Sequence, residues 1–94
     1  IADVTFIAKR ETTVEEVNKL LSDAAASAQW QGIFAVTTDP VVSSDIIGST
    51  YGSVADLSMT RVIGNLVKVL AWYDNEMGYA HTLVRHVKEA SKHI

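Results

Sequence analysis

Apolar and polar side chains alternate at the start of the chain. Ala2, Val4, Phe6 and Ala8 fall on one side, and Asp3, Thr5, Ile7 and Lys9 on the other. A period of two predicts a strand with one buried face. After Arg10-Glu11 the period changes. Val14, Val17, Leu20, Leu21, Ala24, Ala25 and Ala28 recur at helical spacing, with Glu15, Glu16, Asn18, Lys19 and Asp23 between them. Residues 13–28 are therefore predicted as an amphipathic helix laid on a sheet. Thr12 with Glu15 and Thr13 with Glu16 both have capping-box spacing, so two helix starts compete.

Ile33 to Val36 is a short apolar run and predicts a buried strand. Thr37-Thr38-Asp39-Pro40 marks a turn, because proline holds the residue before it extended. Val41 and Val42 are predicted to resume as a second short strand. Gly48 to Gly52 is a surface loop, and Ser53 to Leu57 a further strand. Two β-rich runs, Thr60–Ile63 and Leu66–Tyr73, then flank Gly64-Asn65. A two-residue loop with glycine first fits a type II′ hairpin. That register sets Ile63 opposite Leu66 and Arg61 opposite Lys68. Two facing cations are unfavourable, so a carboxylate, Asp56 or Asp45, is expected beside them. The second run is apolar on both faces: Val67, Val69 and Ala71 on one, Leu66, Leu70 and Trp72 on the other. It is predicted as a central strand covered on both sides.

From Met77 the helical period returns. Ala80, Leu83, Val84, Val87, Ala90 and Ile94 line one side, and a helix over about 77–92 follows, with Lys88 and Lys92 suited to the negative end of its dipole.

Composition narrows the function classes. Ninety-four residues make at most one small domain, burying roughly 60–65% of the unfolded surface. A net charge of −3 without a basic stripe offers nothing to nucleic acid or anionic lipid. No apolar stretch approaches the length of a membrane span, and Asp3 and Thr5 interrupt any signal-peptide core. The absence of cysteine leaves no thiol nucleophile, thiolate metal site or disulfide here, and fits a reducing, cytoplasmic setting. The chain opens on Ile1 within a strand, so a piece of a longer polypeptide is expected.

Three features carry candidate chemistry. Ser43-Ser44-Asp45 combines hydroxyls with a carboxylate, but these residues equally bond to backbone at an element's end, and no histidine is near in sequence. His81, His86 and His93 lack the i, i+4 spacing of a helical metal site and are expected on the surface. The third feature is the seam Trp72-Tyr73-Asp74-Asn75-Glu76, where a strand hands over to a helix. Such seams place binding groups in α/β enzymes. Asn75 has a donor and an acceptor on one short side chain and can read an amide. The simpler alternative is a helix start with Asp74 or Asn75 as N-cap.

The run Trp72-Tyr73-Asp74-Asn75-Glu76-Met77-Gly78-Tyr79 resembles the W-Y-D-N-E-x-G-Y segment of glyceraldehyde-3-phosphate dehydrogenases. The likeness extends through Asn65–Ala71, Asp39–Ile46 and Glu11–Val17, and so over nearly the whole chain. It implies an α+β fold: a largely antiparallel sheet with helices packed on one side, the C-terminal part of that family's catalytic domain. Residues 1–74 would be part of that domain. Residues 75–94 would form the C-terminal helix, which in the family docks on the NAD-binding Rossmann domain. The resemblance further implies phosphorylating oxidation of glyceraldehyde 3-phosphate with NAD and phosphate, in a homo-oligomer. The family's cysteine and histidine, its Gly-rich dinucleotide loop and its phosphate-binding residues belong to motifs that precede this region, so no catalytic residue carries over and the segment alone is expected to be inactive. Asn75 matches the asparagine that holds the nicotinamide carboxamide. Tyr79 matches the motif's tyrosine, a neighbour of that ring. Leu83, Val84, Val87 and Ala90 would then form an exposed stripe.

There are departures. Gly64-Asn65 is one residue shorter than the family's usual turn, Met77 replaces a frequent aromatic residue, and residues 48–56 follow the pattern loosely. They leave open a relative that acts on erythrose 4-phosphate. A non-enzymatic association module is the alternative of another class.

Overall fold

The computed structural model describes all 94 residues. Its five strands and three α-helices follow in the order β1 (Ala2–Ile7), α1 (Val14–Ala26), β2 (Phe34–Thr37), α2 (Ser43–Ile46), β3 (Ser53–Asp56), β4 (Arg61–Ile63), β5 (Leu66–Trp72) and α3 (Met77–Ser91). The strands form one sheet in the order β1-β5-β3-β2, with β4 also on β5. Every pairing is antiparallel except β2 with β3. This is the expected α+β architecture with a largely antiparallel sheet.

The β4–β5 hairpin has the predicted register, Ile63 opposite Leu66 and Arg61 opposite Lys68. Gly64 has φ +60 and no other residue type has positive φ, so the turn takes a left-handed residue only at its first position. That is the type II′ requirement. The cations are separated differently from expectation. Lys68 Nζ pairs with Asp3 Oδ2 at 3.0 Å, because β1 lies along β5 with Thr5 opposite Lys68 and Asp3 opposite Leu70. Arg61 turns away and donates to the carbonyls of Ser58 and Thr60. Neither Asp56 nor Asp45 takes part.

α1 starts at the second of its two candidate caps. Thr13 is the N-cap, and its Oγ1 accepts from Glu16 N at 3.1 Å. Glu16 does not reach back to complete a box. Its carboxylate binds the Arg10 guanidinium and the Thr12 hydroxyl instead. Thr13→Ala should cost about 1 kcal/mol, read as a lower urea midpoint with an unchanged m value.

α1 lies against the sheet over β2 and turns Val17, Leu20 and Leu21 toward Val4, Phe6, Val67 and Val69. The packing is loose: a cleft of ≈ 570 Å³ remains between helix and sheet, lined mainly by apolar side chains, with Lys9, Arg10, Thr12, Glu16 and Ser53 also lining it. Asn18 fastens the helix where packing does not. Its Nδ2 donates to Leu57 O, and its Oδ1 accepts from the buried Thr60 hydroxyl at 2.6 Å.

Two further expectations are corrected. Val41 and Val42 are not a strand. Val42 is extended, but it caps α2, and Asp45 Oδ2 accepts from Val42 N at 2.8 Å. Two β-branched residues are too few to hold a strand against a helix start rich in serine and aspartate. β5 is central by hydrogen bonding, yet only one of its faces is covered. Val67 is fully buried, whereas Leu66, Lys68 and their neighbours Arg61 and Ile63 line an open shallow surface with Thr5. Ile63 is 79% exposed.

α3 stands off the sheet. Leu83, Val84 and Val87 are all exposed. The radius of gyration is 14.8 Å, against about 12 Å for a compact domain of this length. No helix is long and apolar enough to cross a membrane.

Candidate functional site

The seam between β5 and α3 is built from one end of the sheet and the first turn of a helix. Trp72 ends β5 opposite Val54 of β3. Its indole Nε1 donates to Asp56 Oδ2 at 3.0 Å, which locks the large ring that forms one wall. The chain then leaves the sheet through Tyr73–Glu76 and enters α3 at Met77.

Asp74 organises that turn. Its Oδ1 accepts from the backbone N–H of Glu76 and of Met77, both at 2.9 Å. The N-cap position is Glu76, not Asp74 or Asn75 as the sequence suggested, and makes no side-chain cap bond; Asp74 supplies the side-chain acceptor for the turn from two residues before it. Its Oδ2 accepts from Gly48 N at 2.9 Å, twenty-six residues away in sequence. The N–H donors of Gly48, Met77 and Glu76 together hold this carboxyl below the usual aspartate range.

Asn75 sits between these tied residues. It is exposed and lines a cleft of ≈ 200 Å³ with Ile1, Ser43, Ile46, Ile47, Trp72 and Tyr73. Asp74 and Glu76 also line it, and Asp74 accepts from backbone with both oxygens; the Asn75 amide, like the Ser43 hydroxyl beside it, is neutral and can both donate and accept. The indole and three isoleucines give the cleft apolar sides beside that amide. Tyr79, the other candidate, is 69% exposed and lies one turn into α3, outside the lining of this cleft. The structure does not bring the two candidates together within this chain.

Ser43, Ser44 and Asp45 form the first turn of α2. Asp45 serves the backbone of Val42, and Ser43 merely edges the cleft. Sequence reading missed Ile46 and Ile47 as cleft walls and Asp74 as a tie to Gly48. A carboxylate three residues ahead of a helix signals an acceptor for its first turn, but nothing local signals a partner in a loop before β3. The larger cleft, under α1, is lined mainly by apolar side chains, its Arg10, Thr12 and Glu16 are bonded to one another, and it reads as incomplete packing.

A family model described as the C-terminal domain of glyceraldehyde 3-phosphate dehydrogenase matches residues 1–75. The chain belongs to that family. It is similar to a glyceraldehyde-3-phosphate dehydrogenase of Thermotoga maritima, 47% identical over 85 residues, covering 89% of this chain and 25% of the relative. A Geobacillus stearothermophilus relative of the same name is also 47% identical over 85 residues, with the same coverage. A Zymomonas mobilis relative is 37% identical over 93 residues, covering 98% of this chain and 28% of its own length. The chain thus spans about a quarter of the length of the curated relatives it matches.

Proposed function

We propose that these 94 residues supply the nicotinamide-facing wall of an NAD-dependent, phosphorylating glyceraldehyde-3-phosphate dehydrogenase, a glycolytic, cytoplasmic enzyme. Asn75 is the residue that carries the reading. Its amide is exposed at the seam, beside an indole and aliphatic walls. A carboxamide can accept from its N–H and donate to its oxygen, which fixes which face of the ring meets the substrate. The donor set therefore fits the cofactor. NAD supplies the oxidant when bound; this segment orients it. Tyr79 flanks the same ring only where a second wall closes over the seam. Residues 1–74 are the catalytic-domain part in this reading, and 75–94 the helix that docks on the dinucleotide-binding domain.

No cysteine is present among these residues, so in this reading the thiol that attacks the aldehyde lies outside these 94 residues. The exposed Leu83, Val84 and Val87 on α3, and Ile63 on the sheet, support a segment that works inside a larger assembly, a homo-oligomer in this reading. The three relatives named above carry the glyceraldehyde 3-phosphate name, which favours that substrate over erythrose 4-phosphate.

The 94-residue chain, given glyceraldehyde 3-phosphate, NAD and phosphate, is expected to form no NADH. Turnover would overturn the division of labour. In the dehydrogenase that carries this segment, Asn75→Ala should raise the KM for NAD about tenfold, the worth of one lost hydrogen-bonding pair. Unchanged kinetics would remove Asn75 from the site.

A further inference from the structure

We propose that Asp74 is a positioning residue for Asn75 and for the opposite wall of its cleft; the inference rests on the reading of Asn75 above. One carboxylate holds three backbone N–H groups from two distant segments. Glu76 and Met77 belong to the turn that contains Asn75, and Gly48 ends the stretch that contains Ile46 and Ile47. Asn75 lies inside the loop closed by the first two bonds, so the direction of its Cα–Cβ bond is set by them. The third bond draws the turn after α2 against the seam. That turn carries Ile47, which is 78% exposed and has little packing of its own to hold it.

Three of the roughly four acceptor sites of the Asp74 carboxylate face backbone N–H groups. Its part is indirect, and it depends on the second oxygen being an acceptor. Asparagine at this position keeps one carbonyl oxygen for the start of α3, but it turns an NH2 donor toward the Gly48 N–H. Two donors then face each other and the Gly48 tie is lost, while the cap and the helix remain.

The test compares Asp74→Asn with Asn75→Ala in the full dehydrogenase that carries this segment, well below the melting temperature of either variant. Asp74→Asn is expected to raise the KM for NAD severalfold, up to about tenfold, and to lower kcat, since a misoriented ring both binds and reacts less well. In 15N-labelled 94-residue chain, the Gly48 amide resonance should lose the downfield shift of a carboxylate-bound N–H. A lower Tm with KM and kcat unchanged would show a merely structural carboxylate and overturn the inference, even if Asn75→Ala impairs NAD use as expected. If Asn75→Ala is also silent, the reading of Asn75 fails and this inference falls with it.

Discussion

Asp56→Ala is expected to destabilise the chain by about 3 kcal/mol, the scale for losing hydrogen bonds to a buried ionised group. Asp56 is 2% exposed. Its Oδ1 accepts from the Ser58 hydroxyl at 2.6 Å and from Ser58 N at 3.2 Å, and its Oδ2 from the Trp72 indole at 3.0 Å. Alanine leaves the indole N–H without its partner next to the seam. Only seven of the 94 residues are buried, so few other contacts compensate, and 3 kcal/mol is more than half the stability of a marginal domain. The thermal midpoint should fall by roughly 12–24 °C. Trp72→Phe separates the two halves of the network: it removes one donor and should cost about a third as much.

The same residue gives the chain an acid limit. Burial alone would push the Asp56 carboxyl up, but the Ser58 and Trp72 bonds outweigh it and hold it below the usual value. Glu16 is held down to about 2 by Arg10 first and Thr12 second, and Asp74 is lowered by its backbone donors. All three carboxylates have depressed folded-state values. Their contribution is thus complete above the ordinary carboxylate range and is lost as pH falls through the folded-state values. Stability should be level near neutrality and decline below about pH 4. Urea midpoints across pH 2–7 check this, and Asp56→Asn should flatten the decline. An unchanged acid slope in that variant would remove Asp56 from the linkage.

Much of the fold was legible because its signals are local. The repeat from Val14 to Ala28 and the Gly64-Asn65 turn each rest on a few consecutive residues, and α1 and the β4–β5 register followed from them. Errors arose where a distant partner decides the outcome. Asp3 reaches Lys68 only because β1 docks on β5, and no local pattern says so. Asp56 looked like a strand-end carboxylate free to answer Arg61. Its fate was set by Ser58, two residues on, and by an indole from another strand. The open face of β5 has the same origin: apolar residues on both sides of a strand show that both faces can be covered, not that this chain covers them. At the seam, the exposure of Asn75 where a strand hands over to a helix was legible from the local pattern. The residues that shape its cleft were not, since Ile46, Ile47 and Gly48 arrive from the end of α2, a helix where the sequence suggested a strand at Val41 and Val42 and a loop from Gly48.

Gly78→Ala is the substitution for which propensity and packing predict opposite signs. Inside an exposed helix, replacing glycine with alanine stabilises by about 1 kcal/mol. Gly78 is the buried residue of α3, and its φ is not left-handed, so alanine meets no backbone penalty. The obstacle is across the interface. A Cβ there would stand 2.6 Å from the carbonyl oxygen of Tyr51 and 3.5 Å from Gly52 Cα. That carbonyl cannot retreat cheaply. The next residue, Gly52, donates its N–H to Ile33 O at 2.8 Å, and Ser53 N reaches the same oxygen, which anchors the loop to the start of β2. The helix must move instead, and with it the Asp74 tie to Gly48. Overpacking of this kind costs about 1–3 kcal/mol, so a net loss of stability is expected despite the better helix former. The rest of α3 touches little of the domain, so the damage should localise: faster hydrogen exchange over Met77–Ser91 and at the Gly48 amide, with β5 protection retained. A higher melting temperature in Gly78→Ala would mean that α3 is not seated on the Tyr51 loop. The fixed geometry claimed for Asn75 would then lose its mechanical basis.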